Sequence, residues 1–212
     1  MARMEDVLDL YAAAPDPRRP VVCLDERPLV LHAPARPPLP PRPGAPARED
    51  YEYVRRGTGC LALAFDPHRA WRHAWVGARR TAVDFAGWLK DLSDEHYPAA
   101  EVVRLVVDNL NTHGPGALYE AFPPAEAHRL AQRFEWHYTP KHGSWLNMVE
   151  LELSVLSGQC LDRRLPDLAA VAAEVAAWQA RRNAAGATVA WQFTTDAART
   201  KLHRLDPPPI PQ

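Results

Sequence analysis

Three stretches of this chain, VVCLD (21–25), VRLVVD (103–108) and SWLNMVE (144–150), each run through apolar residues and end in an acid. In an open sheet, the carboxyl ends of neighbouring parallel strands face one crevice. Asp25 and Asp108 would meet there if their two strands are adjacent. Paired carboxylates raise each other's proton affinity unless a cation neutralises them. An all-oxygen donor set suits Mg²⁺ or Mn²⁺ better than zinc. The third acid, Glu150, follows Ser144, which reads as a helix N-cap. At helical spacing Asn147, Glu150, Ser154 and Ser157 form a polar stripe beside an apolar one of Leu146, Val149, Leu153 and Leu156. Glu152 points away from Glu150, so Glu150 is the candidate ligand. Asn109, Asn111, His113, His142 and Asn147 supply polar company.

Each acid alone has an ordinary reading. An aspartate after a strand is commonly a turn residue, and a glutamate in a first helical turn favours the helix dipole. The signal is the set of three in this order. A paired-carboxylate glycosidase also needs two acids across a cleft, but the Asn/His surroundings and basic pairs suit phosphate better than sugar. Those pairs are Arg18-Arg19, Arg55-Arg56, Arg79-Arg80, Arg163-Arg164 and Arg181-Arg182; they can present a phosphate-facing surface although the net charge is only −1. Their plain alternative is solvated surface.

The elements that must position these residues are legible in outline. Residues 4–14 predict a short helix, followed by the breaker PDPRRP. The segment 33–46 carries seven prolines in fourteen residues, which excludes helix and central strand. GTGCLALAF (57–65) and AWRHAWVGA (70–78) predict two strands joined at Asp66-Pro67-His68. Thr81 and Asp84 form a capping-box pattern, with Val83, Trp88, Leu89 and Leu92 as the apolar face of the next helix. A helical segment at about 116–133, the strand FEWHYT (134–139), a long helix at about 145–160 and an Ala-rich helix at about 167–184 complete the series. Trp191 and Phe193 are expected to pack back. The order implies a mixed α/β domain, antiparallel early and joined by crossovers later.

The 212 residues, 47% apolar and 24% charged, fit one globular domain. No stretch is long enough to span a membrane as an apolar helix. Cys23, Cys60 and Cys160 lie in no metal or redox spacing and read as core thiols in a reducing cytoplasm. His73, His96 and His137 show no convergent metal spacing.

CLDE, VVDNLNTH and HYTPKHGSWLNMVE closely resemble the three acidic motifs of DDE transposases, nearest to the bacterial insertion-sequence branch of the Tc/mariner superfamily. The likeness runs from about Pro20 to Pro207 and takes in DYEYVRRGT, RRTAVDFA, QCLDRRLPD and RRNAAGATVAWQFTT. It implies a ribonuclease-H-like fold, a mixed five-stranded sheet flanked by helices. Residues 1–17 would be an N-terminal helix and linker, and 18–212 the catalytic domain with a Pro-rich loop at 33–50. It implies Asp25, Asp108 and Glu150 as metal ligands, supported by Asn109, His113, Ser144 and Asn147. Arg27-Pro28 after CLDE departs from the usual small hydroxyl residue or lysine. Forty-one residues separate Asp108 from Glu150, a gap lengthened around PPAEAHRLAQ.

The chemistry implied is metal-dependent cleavage and strand transfer at insertion-sequence ends. Two Mg²⁺ (or Mn²⁺) ions about 3.5–4 Å apart would serve it, Asp25 bridging both, Asp108 and Glu150 holding one each. Arg55, Arg56, Arg79, Arg80 and Lys141 would grip DNA phosphates. His142 and His113 would either contact phosphate or act as structural hydrogen-bonding residues, and Trp145 would stack on a flipped base or lie in the core. Partners implied are transposon-end and target DNA, a second copy of the chain in a synaptic complex, and a separate helix-turn-helix recognition chain, since the chain begins near its catalytic segment. Two other readings stay open: a remnant that binds DNA or a partner without transposing, and a ribonuclease-H-like nuclease that cuts without joining.

Overall fold

The computed structural model describes residues 1–48, 50–110 and 113–201; Asn111, one of the polar residues singled out above, lies outside them. Five strands form one sheet in the order β3-β2-β1-β4-β5. They are β1 (Val21–Pro34), β2 (Tyr53–Asp66), β3 (Trp71–Gly77), β4 (Val103–Val107) and β5 (Phe134–Tyr138). β1 pairs antiparallel with β2, and β2 with β3. β4 runs parallel to β1 on its other side, and β5 parallel to β4. Val103, Leu105, Val106 and Val107 are fully buried, as a strand covered on both faces must be.

Alternation along the strands sorts side chains into two cores. Val21 and Cys23 of β1, with Leu61, Leu63 and Phe65 of β2, face one core. It is closed by α1 (Ala2–Ala12), α5 (Val149–Leu156), α6 (Leu168–Ala184) and α7 (Thr195–Lys201). Val22, Leu24, Leu105 and Val107 face the other, closed by α2 (Ala82–Asp91), α3 (Gly116–Ala121) and α4 (Pro124–Ala131). The segment 1–17 packs into the first core through Met4, Val7, Leu8 and Leu10. Trp191 and Phe193 pack there too, and all three cysteines are free and buried.

Several sequence expectations need correction. The first strand does not stop at Asp25 but continues to Pro34, because β2 goes on pairing with it from Leu63 back to Tyr53. The resulting long β1–β2 hairpin carries a bulge between Leu31 and His32, where Gly57 adopts φ +116°, a conformation suited to glycine. The helical segment at 116–133 is two helices, α3 and α4, split at Pro123-Pro124, since proline lacks the donor that would continue the first. The long helix at 145–160 is likewise broken: a 3₁₀ turn (Ser144–Leu146), then α5, then a π-helical turn (Ser157–Leu161). Ser144 therefore opens the 3₁₀ turn and makes no side-chain cap. On α2 the capping box of Thr81 and Asp84 is complete, but Val83 is exposed and the buried face is Phe85, Ala86 and Leu89, continued by Leu92.

Candidate active site

Register brings the first two acids together. The β1–β4 pairing ends at Cys23 opposite Val106, and two residues further along each chain stand Asp25 and Asp108. Residues at the same level of adjacent parallel strands share a face, with the strands about 4.8 Å apart. Asp25 thus sits where β1 leaves β4 and keeps only β2 as a neighbour. The residue is 8% exposed, and its carboxyl accepts a hydrogen bond from the Glu26 N–H at 2.8 Å. Burial pushes it up to about 7, with the charges of Glu150, Asp108 and Glu26 adding to the rise.

Glu150 arrives from the first turn of α5. Asn147, just ahead of that helix, is fully buried and donates its Nδ2–H to the Leu24 carbonyl at 3.1 Å. That bond pins the helix start to β1 one residue before Asp25. It reaches backbone rather than a carboxylate, and the Asn147 Oδ1 is buried without a partner among the described residues. The apolar stripe Leu146, Val149, Leu153 and Leu156 is buried as its spacing required, which leaves Glu150 half-buried and Ser154 exposed. Glu152 turns the other way, into an ion triad with the buried Arg72 (3.0 Å) and with Arg182 (2.7 Å). The Arg72 Nε lies within ion-pair reach but is not aligned as a hydrogen bond.

Asp108 is held by its own loop. Its Oδ1 accepts from the Leu110 N–H at 3.2 Å and meets the Nδ1 of His113. The other imidazole nitrogen, Nε2, stands 2.9 Å from Glu26 Oε2, and Phe85 stacks on the ring at 4.6 Å between centroids. Burial pushes the His113 imidazole down, but its bonds and charge pairing with Asp108 and Glu26 prevail and raise it to about 9. Glu26 was not singled out in the sequence. The signal was available: as Asp25's neighbour on an alternating strand, Glu26 must face the opposite layer, where His113 lies.

The carboxylate oxygens of Asp25, Asp108 and Glu150 do not all lie within 4.8 Å of one another, but the charges of Glu150 and Asp108 both act on Asp25. Beside them opens a cleft of about 470 Å³ lined by Glu26, Arg27, Pro28, Glu150, Ser154 and Ser157, across which Arg27 bonds the Ser157 hydroxyl. A divalent cation fits this site on two grounds. The donors are all oxygen, and a buried Asp25 whose proton affinity is raised further by the charges of Glu150, Asp108 and Glu26 is an arrangement a cation relieves.

The remaining candidates scatter around this centre. Asn109 is exposed, with no side-chain partner among the described residues. Ser144, Lys141 and His142 are exposed on the approach to α5. His142 takes φ +62° in a turn closed by the Gly143 N–H on the Pro140 carbonyl at 2.9 Å. A Cβ at Gly143 would strike the Pro140 ring at 2.5 Å, so only glycine closes the turn this way. Trp145 is 46% exposed and meets Phe193 edge-on at 5.4 Å; it is not a core tryptophan. Arg55 and Arg56 are exposed on the outer half of the hairpin, and Arg79 is exposed after β3. Arg80 reaches Glu26 at 3.6 Å. Among the described residues, no helix is long and apolar enough to cross a membrane.

Comparison with known proteins sets this geometry in a family. Residues 20–172 match the model of the DDE superfamily endonucleases. The fold superposes on the crystal structure of the Mos1 mariner paired-end complex with Mn at a TM-score of 0.56, with 18% identity over 87% of this chain and 56% of that one. The Mos1 strand transfer complex gives 0.59 and 17%, over 87% and 55%. A pre-cleavage Mos1 transpososome gives 0.56 and 17%, over 88% and 58%. At that identity the likeness is one of fold, the ribonuclease-H-like sheet flanked by helices, and this chain spans a little over half the length of those proteins. No protein of curated function matches it. With the family model covering most of its length, from the first acidic motif through the third, the chain belongs to the DDE superfamily endonucleases.

Proposed function

We propose that the chain is the catalytic domain of a transposase, cutting DNA at insertion-sequence ends and joining the freed end to target DNA. The observation that carries this reading is the buried Asp25 carboxyl, facing Asp108 and Glu150 where β1 parts from β4. Asp25, Asp108 and Glu150 would hold the two Mg²⁺ or Mn²⁺ ions. Bound there, the ions would supply the Lewis acidity for in-line displacement at a phosphodiester. The protein's own part is positional. His113 locks the Asp108 carboxylate from behind through Glu26, Asn147 ties α5 to β1, and the Arg27–Ser157 contact sets one wall of the cleft.

Arg55, Arg56 and Arg79 are the exposed cations proposed to grip the DNA backbone, with Lys141, His142 and Trp145 nearer the acids. The partners are transposon ends, target DNA and, in the synaptic complex, a second copy of the chain. A helix-turn-helix recognition segment or chain would select the ends. The matched Mos1 complexes, two of them solved with Mn and with Mg, support this reading. Three unpaired buried cysteines suit a reducing cytoplasm.

The test is metal-dependent nicking of a duplex bearing the element's ends, with a recognition partner supplied. Asp25→Asn, Asp108→Asn and Glu150→Gln should each abolish cleavage while preserving the circular dichroism spectrum and DNA binding. Cleavage by a folded Asp108→Asn protein at the parent's rate would refute the assignment.

A further inference from the structure

A second cluster of metal-ligating side chains lies on the opposite face of the sheet from Asp25. Asp25 pairs with Leu63, which faces the first core, whereas His73 pairs with Ala64, which faces the second. There His73 of the edge strand β3 meets Asp91, the last residue of α2, and His96. Ligand atoms of the three lie within 4.8 Å of one another.

The local fold makes this juxtaposition. In a continuing α-helix Asp91 and His96, five residues apart, would point roughly 140° away from each other. Instead Leu92–His96 form a π-helical turn, closed by the Tyr97 N–H on the Leu92 carbonyl at 3.0 Å. Bonding between residues five apart widens the turn and brings such pairs closer to one face. π-turns inside helices recur at functional sites.

The distances suit shared coordination better than mutual hydrogen bonding. Asp91 Oδ2 is 3.7 Å from His73 Nε2 and 3.5 Å from His96 Nε2, both longer than a good hydrogen bond. Around a tetrahedral ion with bonds of about 2.0–2.2 Å, ligand atoms sit roughly 3.3–3.6 Å apart. The His96 Nε2 is buried and has no hydrogen-bond partner among the described residues, a costly state for a polar atom. Asp91 Oδ2 also accepts from the Trp75 indole N–H at 2.8 Å, the kind of outer contact that orients a metal-bound carboxylate. Burial, then His96, holds the His73 imidazole below the usual histidine range, with Asp91 opposing; neutral imidazole is the form that ligates.

We propose that His73, Asp91 and His96 form a Zn²⁺ site, distinct from the carboxylate centre, that clamps the edge strand β3 to the end of α2. Two imidazoles and one carboxylate select a borderline-soft divalent ion over Mg²⁺, and a fourth position is left for water. The two sites therefore differ in metal by donor chemistry.

The test uses the full chain, stripped with chelator and kept in excess Mg²⁺. Isothermal titration with Zn²⁺ should show one equivalent bound, and Co²⁺ in its place should give the visible absorption of tetrahedral N/O ligation. His73→Gln and His96→Gln should each weaken Zn²⁺ by more than the ~10–100-fold typical of losing an outer-shell partner, whereas Asp108→Asn should bind it as the parent does. Zn²⁺ should raise the Tm of the parent but not of His96→Gln. An octahedral all-oxygen Co²⁺ spectrum in the parent would overturn the proposal whatever the variants do. Undiminished Zn²⁺ binding by both histidine variants would do the same.

Discussion

His113 stands with its Nε2 2.9 Å from the carboxylate of Glu26, and both side chains are almost fully buried. The bond crosses from β1 to the loop after β4, and the other imidazole nitrogen holds Asp108. Glu26 and Asp25 are neighbours on one strand, so a single dipeptide offers one acid to the candidate metal centre and another to the support behind it.

Replacing His113 by Gln should therefore do more than remove a hydrogen bond. It leaves the Glu26 carboxylate buried with, among the described residues, the exposed Arg80 at 3.6 Å as its remaining cation. Breaking a buried ion pair costs about 3–5 kcal/mol. The pH signature separates this from simple cavity formation. His113 is raised from 6.5 to about 9 in the folded chain, so its contribution is full below about pH 6.5 and fades as pH rises through about 9. Thermal melts across that window should show the parent's slope and a flatter one for His113→Gln.

Asp25 leads to a metal-linked prediction of its own. Its carboxyl rises from 3.8 to about 7 on folding, so the metal-free fold binds that proton more tightly than the unfolded chain. Its contribution is therefore lost as pH climbs between those values. A divalent ion favours the charged form and opposes the loss. Mg²⁺ should raise the Tm more at about pH 8 than at about pH 5, and Asp25→Asn should remove that difference. Equal Mg²⁺ shifts at both pH values in the parent would count against a metal at Asp25.

Glu152 serves the fold. It lies between Arg72, fully buried, and Arg182, which grips it with two bonds of 3.0 and 2.7 Å. Glu152→Gln strands a buried guanidinium and should cost about 3–5 kcal/mol, lowering the Tm by roughly 10 °C. Ser154→Ala, on the exposed side of the same helix, should change stability by no more than about 0.5 kcal/mol. Calorimetry on the pair distinguishes the two faces of α5.

Arg55 and Arg56 extend the candidate DNA surface well beyond the acids. Arg55 pairs with His32, which is about 23 Å along the strand from Asp25 at 3.3 Å per residue. If these arginines meet phosphates, Arg55→Ala and Arg56→Ala should each reduce the slope of log affinity against log salt by about 1. Arg80→Ala should alter it less, because that guanidinium already faces Glu26. Fluorescence anisotropy over a salt series measures all three, and an unchanged slope for the first two would remove the hairpin from the interface.

What the sequence alone determined was the order of elements and the acids they carry. Apolar runs ending in Asp25 and Asp108, the stripe that buries Leu146 and Leu153, the Thr81–Asp84 cap and the cysteines outside any bridge are all local patterns. Each depends on residues within a turn or two of one another, so one-dimensional spacing was enough. The tertiary structure decided which acids share a face and what stands behind them. Pairing with β2 carries β1 on past Asp25 to Pro34, and the β1–β4 register ends at Cys23 and Val106, two residues before Asp25 and Asp108. Glu26, far from His113 in the chain, becomes its partner only when the two strands lie side by side. His73, Asp91 and His96 likewise show no metal spacing along the chain; an edge strand and a π-turn bring them together. Such contacts follow from register and from a change of helical pitch, and both are settled by packing between segments that are distant in sequence.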